Sequence, residues 1–189
     1  MKKLYNQKSK DLLVKKLESE DFNRITCSFY KYMTIVDPIT FRDKIYEEFD
    51  NLEILGRVYI AEEGMNAQIS VPDKNWGLFL KLISSLRLLY DVDIKTAIND
   101  GISFYKLIVK VKKEIVAYNI PKNKFNMDVV GEHLNTKQFN EAIENSKTIV
   151  LDMRNIYESE VGQFISAEIP QVEKSKDLLP EVMRMLKGR

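Results

Sequence analysis

The residues able to do chemistry fall into three groups along the 189-residue chain. Asp152 and Arg154 directly follow the apolar run at residues 149–151 in "KTIVLDMRNIYESEVGQF". An arginine at the C-terminal edge of a strand can hold an anionic loop, and the aspartate can orient it or cap a helix from Asn155 onward. The plainer reading is a structural ion pair plus cap. Glu62, Glu63 and Asn66 surround a turn in "GRVYIAEEGMNAQISVP". Adjacent carboxylates suggest acid–base work, but successive residues on a strand point apart, which favours a charged edge loop. Lys106, Lys110 and Lys112 alternate with Tyr105, Leu107, Val109 and Val111, and Lys113 extends the row. Lysines on one strand face can neutralise phosphates, giving salt-sensitive, sequence-independent affinity. The alternatives are a solvated face or a protected sheet edge.

Other candidates are weaker. Cys27, the one cysteine, shares a strand side with Ile25 and Phe29 and reads as a small core residue rather than a thiolate. His133, the one histidine, sits beside Glu132 in a loop and reads as a surface or capping residue. A single Cys and a single His argue against a transition-metal site and an internal disulfide, and fit a reducing compartment. No haem, flavin or iron motif is present, so no cofactor is assigned. Lys and Arg number 29 against 28 Asp and Glu, so nucleic-acid binding requires a local patch rather than a global charge. The mildly basic start, "KKLYNQKSK", reads as a frayed end. No signal peptide or membrane-length apolar run is visible, and the expectation is a soluble cytoplasmic protein.

The elements that must position these residues follow from periodicity. A short helix is expected over 11–19, within an N-terminal segment 1–23. "ITCSFYKYMTI" alternates as a strand. Asp37-Pro38 starts a helix carrying Phe41, Ile45 and Phe49 on one face. "RVYIA" and "NAQISV" are strands joined through Gly64. Asp73 is expected to cap a helix with a stripe of Trp76, Phe79, Leu80, Ile83 and Leu86 or Tyr90. "DVDIKTAI" and "SFYKLIVKVKKEIV" read as strands about an Asn99-Asp100-Gly101 turn. The order over 24–112 is βαββαβ, an α+β ferredoxin-like arrangement, with the double strand at its end unresolved.

Residues 113–135 read as a linker. Beyond it, Thr136 is expected to cap a helix with Phe139 and Ile143 inward, followed by a buried strand in "TIVLD". A last helix near Lys176 carries Leu179, Val182, Met183 and Leu186 on one face, with Pro180 confined to its first turn. One strand cannot make a parallel sheet, so 136–189 is expected to be an incomplete α/β unit or to pack unusually.

At "GRVYIAEEGMNAQISVP" (56–72), "YKLIVKVKKEIVA" (105–117) and "LDMRNIYESEVGQF" (151–164), the sequence resembles the rhodanese-domain tRNA uridine hydroxylases. These form 5-hydroxyuridine at the tRNA wobble position. The likeness runs from about residue 24 to the end. It implies an acylphosphatase-like (ferredoxin-like) front domain, a rhodanese-like domain after it, dioxygen as co-substrate and the tRNA anticodon loop as partner. It also implies a catalytic cysteine in a glycine-rich loop after the next strand. The chain ends at "VMRMLKGR", before that loop, so it is expected to be a fragment inactive alone, with no catalytic residue of its own.

On that resemblance Asp152, Arg154, Glu63 and Asn66 become supporting candidates, and the Glu62–Glu63 turn is expected to help shape the RNA site. Lys106, Lys110, Lys112 and Lys113 become candidate RNA contacts. Gln163 stands where the family usually has His. It removes a titratable group while keeping hydrogen-bonding capacity. Two other readings compete with the hydroxylase. One is a rhodanese-type sulfurtransferase, which needs the same absent cysteine. The other is a non-enzymatic RNA- or protein-binding module, for which no RNP-type aromatic signature is visible.

Overall fold

The computed structural model describes residues 8–97, 104–116, 120, 126 and 129–189. It forms two compact units, Met1–Ile115 and Val116–Arg189. The first unit ends three residues beyond the boundary expected at 112, because Ile115 is buried in it.

In the first unit, α1 (Lys10–Glu18) is capped by Ser9 and buries Leu17. β1 (Arg24–Tyr32) alternates as the sequence predicts, with Cys27 and Phe29 buried and Tyr30 and Tyr32 exposed. Asp37 accepts from the Ile39 and Thr40 amides at 3.1 Å and starts α2 (Pro38–Asn51), with Pro38 where no donor is needed. β2 (Leu55–Ala61) and β3 (Gly64–Pro72) are antiparallel and joined through Glu62 and Glu63. Gly64 has φ +150°, and a Cβ there would lie 2.2 Å from the Lys31 carbonyl oxygen, so only glycine fits.

Asp73 does not cap the next helix. It opens a 3-10 turn and accepts from the Lys74 amide, and α3 (Trp76–Ser85) starts beyond it. Of the expected stripe, Phe79, Ile83 and Leu86 are buried, whereas Leu80 and Tyr90 are exposed. The helix ends at Ser85, so its periodicity no longer governs Tyr90.

β4 is only Lys95–Thr96, and β5 is Leu107–Val111. The Asn99–Gly101 turn lies outside the described residues. The five strands order as β4-β1-β3-β2-β5. This resolves the double strand at the end of the βαββαβ pattern. β4 takes the ferredoxin-like edge beside β1, while β5 adds a fifth strand parallel to β2 at the other edge. Both α2 and α3 cover one face. Phe79 joins them to the sheet, with ring centroids 6.3 Å from Phe29, 6.0 Å from Phe49 and 5.4 Å from Trp76.

In the second unit, α4 (Thr136–Glu144) is capped by Asn135 rather than Thr136. Asn135 Oδ1 accepts from the Gln138 amide, and Gln138 Oε1 accepts from the Asn135 amide. Then come β6 (Val150–Leu151), α5 (Ile156–Val161), β7 (Ala167–Glu168) and α6 (Ser175–Met185). The strand at 150–151 is not alone, because β7 pairs with it in parallel. It is half-buried rather than buried. α6 buries Leu178 and Val182, with Leu179 and Leu186 partly covered, and leaves Met183 exposed. Pro180 lies in its second turn, not its first, and has no N–H for the Lys176 carbonyl.

Candidate functional site

In the second unit the Asp152 and Arg154 pair is built at the end of β6. The Asp152 amide bonds the Glu168 carbonyl of β7 at 3.0 Å, which fixes the aspartate backbone. Arg154 Nε lies 2.9 Å from Asp152 Oδ1, and Nη2 lies 2.5 Å from Oδ2. Ser159 Oγ, on α5, donates to Oδ2 at 3.0 Å, and the Arg154 amide donates to Oδ1 at 3.1 Å. The Arg154 hydrogen bonds chiefly hold the Asp152 carboxyl well below the usual carboxylate range. The aspartate in turn raises the Arg154 pKa above its ordinary value.

Arg154 Nη2 also donates to the Gly162 carbonyl at 2.6 Å, linking the strand end to the segment after α5. Asp152 therefore orients the arginine and does not cap α5. The Asn155 amide is met instead by Glu158 Oε2 at 3.1 Å, so Glu158 closes the start of α5. Glu160 is exposed. A cleft of about 550 Å³ opens against the pair, lined also by Phe139, Gln163 and Phe164. The Phe139 and Phe164 centroids are 4.9 Å apart. Such a cleft offers a fixed guanidinium beside an apolar wall, suited to a planar or anionic group.

In the first unit Glu63 Oε1 accepts from the Ile115 amide at 2.8 Å. The Glu62 and Glu63 carbonyls accept from Ile35 and Met33 at 2.8 and 3.0 Å. The turn therefore ties together the segments following β1 and β5. Glu63 serves a structural bond, which the spacing of the two carboxylates did not reveal.

Asn66 lies on the sheet face opposite α2 and α3, which is covered at its Ser70 end and exposed toward Tyr30. The register puts Lys110 (β5), Tyr59 (β2), Asn66 (β3) and Tyr30 (β1) in one row across the sheet. Ile108, Arg57, Gln68, Ser28 and Lys95 form the adjacent row. Gln68 Nε2 donates to Asn66 Oδ1 at 2.5 Å. Tyr30 and Tyr32 meet edge to face at 6.5 Å, and the Lys112 ammonium lies 5.2 Å from the Tyr59 centroid. Lys110, Lys112 and Lys113 are exposed, while Lys106 is half-buried with its ammonium 5.4 Å from the Tyr105 centroid.

Sequence reasoning found Lys110 and Asn66 but not that they share a face, and it passed over Tyr30, Tyr32, Tyr59 and Arg57. The signal was available in part, since Tyr30 and Tyr32 alternate against Cys27 and Phe29. No RNP-type motif announces the three tyrosines because they come from two strands separated by β3. Cys27 is 2 % exposed, and burial pushes its thiol up to about 12, which fits a core residue. His133 is exposed in a loop. Among the described residues, no group of three or more His, Cys, Asp or Glu is placed to hold a metal ion, and no helix is long and apolar enough to cross a membrane.

Comparison with known proteins bears out the resemblance. Residues 24–115 match the UPF0176 acylphosphatase-like domain. The chain is 41 % identical over 187 residues to a protein of Leptospira interrogans named tRNA uridine(34) hydroxylase, covering 98 % of this chain and 51 % of that one. It is 38 % identical over 185 residues to a protein of the same name from Buchnera aphidicola, covering 97 % of this chain and 59 % of the other. A Photorhabdus laumondii protein so named is 40 % identical over 186 residues, with 97 % of this chain and 53 % of the relative covered. The chain thus spans between half and three-fifths of the length of these curated relatives.

Proposed function

We propose, from the premise that residues 24–115 are a UPF0176 acylphosphatase-like domain and that the likeness to tRNA uridine(34) hydroxylases continues through the second unit, that the protein hydroxylates uridine 34 of tRNA. The product is 5-hydroxyuridine, with the anticodon loop as the recognised segment and dioxygen as co-substrate. One observation carries the reading: similarity at about 40 % identity covers 97–98 % of the chain, across both units. The relatives are named as hydroxylases, so the sulfurtransferase reading is not favoured.

The residues take distinct roles in this reading. The second unit, with its parallel β6–β7 pair, is read as rhodanese-like. There Asp152 orients Arg154 and Ser159 fixes the aspartate, so that the guanidinium is held at a strand end, where α/β folds place ligands. Gln163, on the cleft wall, acts through hydrogen bonds and not through proton transfer. In the first unit Lys106, Lys110, Lys112 and Lys113 meet tRNA phosphates. Asn66 lies beside them on the open face, and Glu63 supports the turn. The target uridine lies in a single-stranded loop, so its base can be splayed out for reaction.

The test is nucleoside mass spectrometry of tRNA from cells with and without the gene, complemented with the full-length protein. Loss of 5-hydroxyuridine on deletion and its return on complementation are expected. An unchanged nucleoside profile overturns the proposal.

A further inference from the structure

The open sheet face carries aromatic rings, amides and cations in an arrangement that phosphate binding alone does not require. Tyr30 is 68 % exposed at the β1 end of its row, beyond the two residues that β4 pairs with, and Tyr32 is 47 % exposed beside it. Burying either ring against α2 and α3 is impossible, because the strand alternation gives that side to Cys27 and Phe29. Tyr59 lies in the same row as Tyr30, with β3 between them. Two inter-strand spacings separate their backbone positions by about 10 Å, room for each ring to carry its own base. Between them sit the hydrogen-bonded amides of Asn66 and Gln68, groups able to meet base edges.

Charge selects the occupant. On β1, β2, β3, β4 and β5 the open-face positions hold Arg24, Arg57, Lys95 and Lys110 and no carboxylate, and Lys106 and Lys112 flank β5. Arg24 is engaged by Glu20, and Lys95 by Asp93. Arg57, Lys110 and Lys112 remain around the tyrosines. Rings and an arginine would also suit a protein partner, but the cations without any carboxylate on this face favour a polyanion. A strand of phosphates bearing unstacked bases matches both the cations and the rings.

We infer that this face is a stacking platform for single-stranded RNA, with Tyr30 and Tyr59 carrying successive unpaired bases, Tyr32 bracing Tyr30, and Arg57, Lys110 and Lys112 following the backbone. The Lys112 ammonium over the Tyr59 ring moves to a phosphate as the base arrives. The inference rests on the reading of the protein as one that acts on tRNA, and it adds the rings to the lysines assigned above.

Fluorescence anisotropy with a labelled single-stranded oligouridylate and a paired RNA of equal length tests it, using the full chain. Preference for the single strand is expected, and Tyr30→Ala and Tyr59→Ala should each weaken binding by about five-fold or more. Tyr30→Phe, which keeps the ring, should bind as the parent does. Tyr157→Ala, an exposed tyrosine of the second unit, should have no effect. A 5-iodouridine oligonucleotide should photocrosslink to Tyr30 or Tyr59, a readout independent of the variants. Equal affinity for the paired RNA, unchanged affinity in both alanine variants, the same loss in Tyr157→Ala, or crosslinks only elsewhere overturns the platform. The nucleoside assay separates the two proposals: 5-hydroxyuridine formed by a protein with no platform leaves the activity standing, and platform binding without 5-hydroxyuridine does the reverse.

Discussion

Glu63 reaches from the β2–β3 turn to the residue that closes the first unit: its Oε1 lies 2.8 Å from the Ile115 amide nitrogen. Ile115 is itself buried, so the amide has no ready substitute in water. Glu63→Ala should destabilise the chain by about 1–3 kcal/mol, and Glu63→Gln, which keeps an acceptor, should restore most of that. Urea unfolding followed by the fluorescence of Trp76 measures both. A catalytic Glu63 would give the opposite pattern, with stability kept and 5-hydroxyuridine lost in the glutamine variant.

Asp152 gives a pH signature. Its folded pKa is depressed, first by the Arg154 hydrogen bonds. Its stabilisation is therefore complete above the unfolded aspartate value of about 3.9 and fades as pH falls toward the lower folded value. Asp152→Asn should lower the urea midpoint of the second unit near neutral pH, and the gap to the parent should narrow below about pH 4. Far-UV circular dichroism at several pH values reads this out. A gap that widens in acid would contradict the pairing.

Two glycines should respond in opposite directions to alanine. Gly56 has φ +140°, and a Cβ there would meet the Gln68 carbonyl oxygen at 2.3 Å. Gly56→Ala should cost more than about 2 kcal/mol. Gly77, in α3, has open space where a methyl group would stand, with nothing within 4 Å, so Gly77→Ala should stabilise by up to about 1 kcal/mol. Thermal denaturation compares them.

Cys27 should be inert in the folded protein. Burial pushes its thiol up to about 12, so almost no thiolate exists at pH 8. Iodoacetamide should label it at least about a hundred-fold more slowly in the native chain than in denaturant. Mass spectrometry showing equal rates would mean that β1 opens readily.

The lysine row has a salt signature. Replacing Lys106, Lys110 and Lys112 together by glutamine should weaken tRNA binding by the full-length protein. The slope of log affinity against log salt should fall by about 2–3. Unchanged affinity and slope would remove these lysines from the RNA contact.

Local chemistry was enough for part of this molecule. Asp37-Pro38 starts α2 and alternation in β1 separates Cys27 and Phe29 from Tyr30, because each of these signals depends only on residues close in the chain, whereas Gly64 marks a turn locally but is required by the Lys31 carbonyl of β1. Motif resemblance carried the family likeness, and Asp152 and Arg154 were visible as a pair because two residues suffice to form it. Tertiary structure decided the rest. β4, β6 and β7 are two residues each, too short for any period, and exist through their partners. The parallel addition of β5 to β2 joins segments about fifty residues apart. That pairing sets Lys110 in line with Tyr59, Asn66 and Tyr30, an alignment fixed by inter-strand hydrogen bonds and therefore absent from any single stretch of sequence.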